Sequence, residues 1–274
     1  RSAVHNGGSS SRRSSEGLVK RSRPSTSTDP DVGGTSGPSS AEERASSGAS
    51  AACPVCRESP AAAHFATVAK QTYWRCPHCR ATFLDSSHHL SLEAEKARYE
   101  KHENGEDSPG YRRFLSSLAD PLLARLGRSA PNHKASRGLD YGCGPGPALA
   151  AMLREAGHEV AVYDPIFAPD RAAVAAGTQY DFVTCTEVAE HFYRPAEEFD
   201  TMAALVRGGG LLAVLTSFQP ESADQFAEWH YRRDPTHVVF YGAGTLALLA
   251  EERGWTCEIP VKDVAIMRKP VDSS

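Results

Sequence analysis

LDYGCGPGPA, residues 139–148, joins a short apolar run to a segment with helical patterning. Glycines at 142, 144 and 146 let a backbone pass close to a ligand, and a helix opening just after them offers free N–H donors to an anionic group. Asp140 stands immediately ahead of the glycines. The next apolar run, HEVAVYD, ends in Asp164, where an acidic side chain at the end of a second strand can accept from ribose hydroxyls. The stretch therefore reads as a strand–loop–helix that binds a nucleoside-containing group, the opening unit of a parallel α/β sheet.

Working outward, the same alternation continues to the C-terminus. RGLDYG, HEVAVYD and YDFVTC read as strands, with PALAAMLREAG and PAEEFDTMAALV as helices. GGGLLAVLTSF reads as a turn and a strand, and GTLALLAEERGW as a helix. CEIPV and DVAIMRK close the chain as two strands able to pair antiparallel. Upstream, residues 90–127 read as helical. In YRRFLSSLADPLLARLG the residues Tyr111, Phe114, Leu115, Leu118, Leu122 and Leu126 recur at three- and four-residue spacing. Gly127 and Pro131 end that helix. Its stripe packs a core, or its Tyr111 end lies over the ligand pocket as a lid.

The chain has 274 residues and a formal charge of −4, so no global basic field points to nucleic acid. No apolar run approaches the roughly 18 residues of a membrane span, and a cytoplasmic location is expected. Residues 1–50, rich in Ser, Gly, Arg and Pro, read as a disordered tail; their Arg- and Ser-rich beginning also suits organelle import. A chain beginning at Arg1 reads as a fragment or a processed form.

Seven cysteines include two Cys-Pro-x-Cys pairs, Cys53/Cys56 and Cys76/Cys79, nineteen residues apart. Two such knuckles at that distance suit a tetrahedral four-thiolate structural zinc site. The expected organisation is a tail (1–50), a zinc ribbon (51–85), a helical linker or lid (86–136) and an α/β domain (137–274). The ribbon braces the domain or binds a partner. His64, His78, His88 and His89 read as solvated, and Cys143, Cys185 and Cys257 as small buried hydrophobes.

CTEVAEHF places Glu187, Glu190 and His191 just after the strand YDFVTC, at the end where open α/β sheets bind ligands. His237 follows in RRDPTHVVFY. Two carboxyls and two imidazoles are a reasonable ligand set for a divalent cation. The plainer alternatives are a helix start favoured by acidic side chains and a structural loop histidine. Trp229, His230, Tyr231, Arg232 and Arg233 make an aromatic and basic segment that grips a ring or an anion, or forms an exposed loop.

A dinucleotide fingerprint wants G-x-G-x-x-G; here the order is D-x-G-x-G-x-G, and no nicotinamide domain follows. The chain resembles class I S-adenosylmethionine (SAM)-dependent methyltransferases over about residues 95 to 270, bacterial members with an N-terminal zinc ribbon among them. The resemblance implies a Rossmann-like, mostly parallel sheet with its last strand antiparallel. It places Asp140, Gly142, Gly144 and Gly146 at the methionine end of SAM and Asp164 on the ribose. Only sixteen residues separate Asp164 from Asp181, so the segment that commonly orients adenine is shortened or missing, leaving Ile166 and Phe167 to pack on the base. E-x-x-E-H with a later T-H is similar to the ubiquinone-pathway O-methyltransferases and the small-RNA 2′-O-methyltransferases. By that likeness Glu187, Glu190, His191 and His237 hold a second divalent metal that positions an accepting hydroxyl. The implied function is methyl transfer to oxygen of a small molecule, with no obligate protein partner. RNA methylation, with the ribbon docking RNA, and a non-catalytic SAM-binding scaffold are the competing expectations.

Overall fold

The computed structural model describes residues 51–57, 61–99, 108–127 and 134–271. All of them belong to one compact unit, Ala45–Ser274; a second unit, Arg1–Arg44, lies wholly outside them. The expected tail (1–50) and the helix stop at Pro131 therefore fall outside the described residues.

Three short antiparallel strands come first: β1 (Ala63–Val68), β2 (Gln71–Arg75) and β3 (Thr82–Leu84). Helices α1 (Leu92–Tyr99) and α2 (Pro109–Arg125) follow. Pro109 opens α2 where its missing N–H costs nothing, and the Ser108 hydroxyl accepts from Tyr111 N.

Then come β4 (Arg137–Tyr141), α3 (Ala148–Glu155), β5 (Glu159–Tyr163), β6 (Tyr180–Thr186), α4 (Pro195–Leu205) and β7 (Val206–Leu215). The chain continues through α5 (Ala223–Glu228), β8 (Val239–Phe240), α6 (Ala243–Glu251), β9 (Thr256–Val261) and β10 (Val264–Arg268). Six strands form one sheet in the order β5-β4-β6-β7-β10-β9. β4, β5, β6 and β7 pair parallel, and β10, the last strand, pairs antiparallel with both neighbours. This is the Rossmann-like sheet expected from the sequence.

Between Asp164 and Tyr180 the chain makes turns and one short 3-10 helix, Arg171–Val174, but no α-helix. No strand forms there, and β4 lies directly against β6. Gly138 permits that approach, because a Cβ there would sit 2.1 Å from the Phe182 ring.

The strands alternate between two cores. On one face, Phe182, Leu211, Ala213 and Leu215 meet Leu115, Leu118 and Leu122 of α2 with Leu149 and Leu153 of α3. On the other, Val183, Cys185, Leu212 and Val214 meet Phe199 and Met202 of α4 with Leu246 and Leu249 of α6. Cys53, Cys76 and Cys79 belong to this second core, so the ribbon packs directly on the sheet's helical layer.

Several local expectations are corrected. The glycines of GGG lie inside β7, not in a turn before it; Gly209 takes φ +78°, and a Cβ on Gly210 would stand 2.8 Å from Asp181 O. HVVFY contributes β8, an unforeseen strand that extends the ribbon sheet to β1-β2-β3-β8. His89 is half-buried against the Tyr193 ring, 4.9 Å between centroids, instead of solvated. Of the three cysteines read as buried, Cys185 is; Cys143 and Cys257 are half-exposed.

Candidate active site

A cavity of about 660 Å³ opens at the C-terminal ends of β4, β5 and β6. Asp140, Gly142, Gly144, Gly146, Asp164 and Phe167 all line it, as do Glu187, Glu190, His191 and His237. The structure thus brings every predicted pocket residue to one space. Its mouth carries Leu92, Phe114 and Ile166, three of the exposed large apolar side chains among the described residues. Leu92, Tyr99, Tyr111 and Phe114 place both N-terminal helices over the cavity, while α2's other face packs the core.

The loop's shape follows from its residues. Gly142 and Gly144 take φ of +79° and +64°, which side chains disfavour, and a Cβ on Gly142 would meet Val188 at 2.5 Å. A Cβ on Gly144 would meet nothing within 4 Å, so that backbone faces open space. Asp164 secures the turn: Gly144 N donates to one oxygen at 3.1 Å, while Ile166 N and Phe167 N donate to the other at 2.8 and 2.9 Å. These bonds occupy three of a carboxylate's roughly four acceptor positions. Asp140 is 4% exposed and accepts from Thr184 Oγ1 at 2.8 Å. Burial raises its carboxyl to about 6, opposed by the Thr184 hydrogen bond.

Across the cavity the acidic and imidazole groups converge, though three and four residues apart they do not do so from one helix face. Glu187 sits alone at φ +53°, and Glu190 and His191 share the single turn Ala189–His191. One ligand atom each from Glu190, His191 and His237 lies within 4.8 Å of the others; Glu187 is not in that group. His191 pairs its Nδ1 with Thr236 O at 3.0 Å, and His237 pairs its Nδ1 with Tyr231 O at 2.7 Å. A carbonyl only accepts, so both Nδ1 atoms carry a proton, and in a neutral ring Nε2 is then the nitrogen with a lone pair to offer. His191 Nε2 lies 3.8 Å from Glu190 Oε1.

Glu190 is wholly buried. Thr216 donates to its Oε2 at 2.8 Å, while Oε1 has no hydrogen-bond partner. A buried, unpartnered carboxyl oxygen is expensive unless a donor or cation meets it. Glu187 is raised to about 9 by burial first and the Glu190 charge second. Burial likewise lowers His237, holding the imidazole neutral.

Tyr231, named in the sequence only for ring stacking, holds several of these parts. Its ring lies 4.2 Å from that of His237, and its hydroxyl approaches Thr216 Oγ1 at 3.3 Å beside both carboxyls. Glu95 and Tyr99, which sequence reasoning missed, also line the cavity. Tyr99 donates to Glu95 at 2.6 Å and meets His191 edge-on at 5.3 Å. A glutamate four residues before a tyrosine was their only sequence signal.

The four predicted ribbon cysteines also converge, with all Sγ atoms within 4.8 Å of one another. Cys53 and Cys79 stand 3.6 Å apart, and Cys56 and Cys76 3.7 Å. Tetrahedral Zn–S bonds of about 2.3 Å imply sulfur separations near 3.8 Å, so the thiols fit zinc. The Cys79 thiol, and after it the amides of Cys56 and Val55, lower Cys53 to about 5 against burial.

A family model described as a methyltransferase domain matches residues 111–258, more than half of the 274-residue chain. No curated protein matches the chain. Similar solved structures include a Burkholderia thailandensis 1,6-didemethyltoxoflavin-N1-methyltransferase with bound S-adenosylhomocysteine. It is 16% identical, with 76% of this chain and 99% of that one covered and a TM-score of 0.45. The magnesium protoporphyrin IX methyltransferase of Synechocystis PCC 6803 is 14% identical, covering 65% and 94% at a TM-score of 0.44.

Proposed function

The chain belongs to the methyltransferase-domain family, as a class I SAM-dependent enzyme, and from that premise we propose that it methylates a hydroxyl of a small-molecule acceptor. The observation that carries this reading is the cluster of Glu190, His191 and His237, one ligand atom of each within 4.8 Å of the others and Glu190 Oε1 without a hydrogen-bond partner, in the cavity that holds the glycine loop.

When bound, SAM supplies a methyl group already activated by its sulfonium, so the chain's task is mainly to bind, align and deprotonate. The open backbone at Gly144 and the helix start beyond Gly146 receive the donor's methionine end. Asp164 keeps the loop folded and retains an acceptor position for a ribose hydroxyl. Ile166 and Phe167 supply an apolar wall where the missing strand would have stood.

On the acceptor side, the Nε2 lone pairs have two uses. They take the hydroxyl's proton directly, or they join Glu190 in holding a divalent ion. The second use is favoured by Glu190 Oε1, a buried oxygen that a lone base does not require. One carboxyl oxygen and two imidazole nitrogens suit such an ion, which would lower the pKa of a coordinated hydroxyl. The raised carboxyl of Glu187 then lies beside the acceptor. In the four-cysteine ribbon, zinc would supply folding energy and no chemistry.

His191→Ala and His237→Ala should each cut turnover by roughly 100-fold, the scale of a lost acid–base group, while calorimetry gives unchanged SAM affinity. Turnover equal to wild type in both variants would refute the reading. A screen with labelled donor against extract fractions identifies the acceptor; label entering RNA instead of small molecules would replace the acceptor class.

A further inference from the structure

Val238 is hydrogen-bonded in opposite directions. Its N–H donates to Glu190 O at 2.9 Å, toward the acceptor-side cluster, and its carbonyl accepts from Leu84 N at 2.8 Å, toward the ribbon. The next two residues form β8, whose ladder partner is β3, with Phe83 opposite Val239 and Thr82 opposite Phe240. β8 stands at the end of its sheet and is two residues long. A ladder so short has no stability of its own, so the path of the chain just after His237 is imposed by β3.

β3 is in turn set by the cysteine knuckle. Cys76 N donates to Ala81 O and Arg80 N to Cys76 O, which directs the chain from Cys79 into Thr82. Arg75 grips the Thr82 hydroxyl at 2.8 Å. Gln219 closes the far end, donating its side-chain amide to Arg80 O at 2.6 Å and its backbone N–H to Tyr241 O at 2.8 Å. Residues 238–241 are thus bolted to the knuckle on one side and to the Ala189–His191 turn on the other, where Tyr241 donates to Ala189 O at 3.0 Å.

We propose that the four-cysteine ribbon is the positioning element for His237. The metal that folds the knuckle fixes β3, β3 fixes β8, and β8 sets His237 beside Glu190 and His191. This rests on the reading of that cluster as the acceptor side. The glycine loop and Asp164 follow β4 and β5, which the ribbon strands do not pair with, so the hydrogen-bonded path from the knuckle runs to His237 and not to the donor side.

Misplacing a reacting group by about 1 Å costs on the order of 100-fold in rate. Stripping zinc from the full chain with a chelator should therefore lower turnover by roughly that factor while SAM affinity stays within about twofold, and zinc should restore turnover. The imidazole resonance of His237, assigned by its loss in His237→Ala, should shift or broaden on stripping and return with zinc. Leu84→Pro removes the N–H that Val238 accepts and keeps all four thiols; it should reproduce the loss of turnover at full zinc content. An unmoved His237 resonance with turnover retained would overturn the proposal. So would SAM affinity falling in step with turnover, since the ribbon would then hold the whole domain. If His237→Ala leaves turnover intact in the zinc-loaded protein, the functional reading fails instead, while the resonance still reports whether ribbon and histidine are coupled.

Discussion

Asp140 stands where its charge is penalised. Burial at the end of β4 raises its carboxyl from 3.8 to about 6, and Thr184 only partly offsets this. Across that window the folded chain keeps a proton that the unfolded chain releases, so stability falls as pH rises from about 4 to 6. Asp140→Asn, which keeps an acceptor for Thr184, should flatten the fall; melting curves at pH 4.5 and 7 for both proteins check it. An unchanged slope would show that the pH dependence comes from other groups. The loop's shape was legible from the sequence at Gly142, Gly144 and Asp164, a bend at positive φ whose amide a carboxylate accepts, whereas the burial of Asp140 against Thr184, 44 residues on, was not. Tyr99 could not be picked out, because it meets His191 far along the chain; nor could Tyr231, whose hydroxyl reaches Thr216 and the two carboxyls only on folding, nor Glu95, known only by its burial at the cavity.

At the scale of elements, the three- and four-residue apolar spacing in α2 describes the helix well but not which residues it buries. Leu115, Leu118 and Leu122 enter the core, whereas Phe114, on the same predicted stripe, is 44% exposed at the cavity mouth. Leu118→Ala should cost about 2–5 kcal/mol, the range for truncating a fully buried leucine, read as a lower denaturation midpoint. Phe114→Ala, removing a rim residue, should leave the midpoint near wild type. Equal losses would mean the rim is structural. The shortened segment after Asp164 was readable by counting residues. β8 was not, since a two-residue strand exists only when another strand lies beside it.

For the molecule as a whole, every described residue lining the cavity, and each ribbon cysteine, lies within the unit Ala45–Ser274. A chain begun at Ala45 should melt at the same temperature as the full sequence and bind SAM equally well; weaker SAM binding would give the first 44 residues a part in the site. Among the described residues, no helix is long and apolar enough to cross a membrane.

The sequence by itself determined the alternating strands and helices, the glycine-rich loop and the cysteine knuckles, because each is governed by interactions within a few residues or by a fixed spacing. Tertiary structure alone decided that Glu187 stands outside the trio, that two imidazoles turn their Nδ1 atoms to backbone carbonyls, and that the ribbon shares a sheet with the segment behind His237. Those outcomes depend on carbonyls and strands brought together by folding, and no local pattern encodes them.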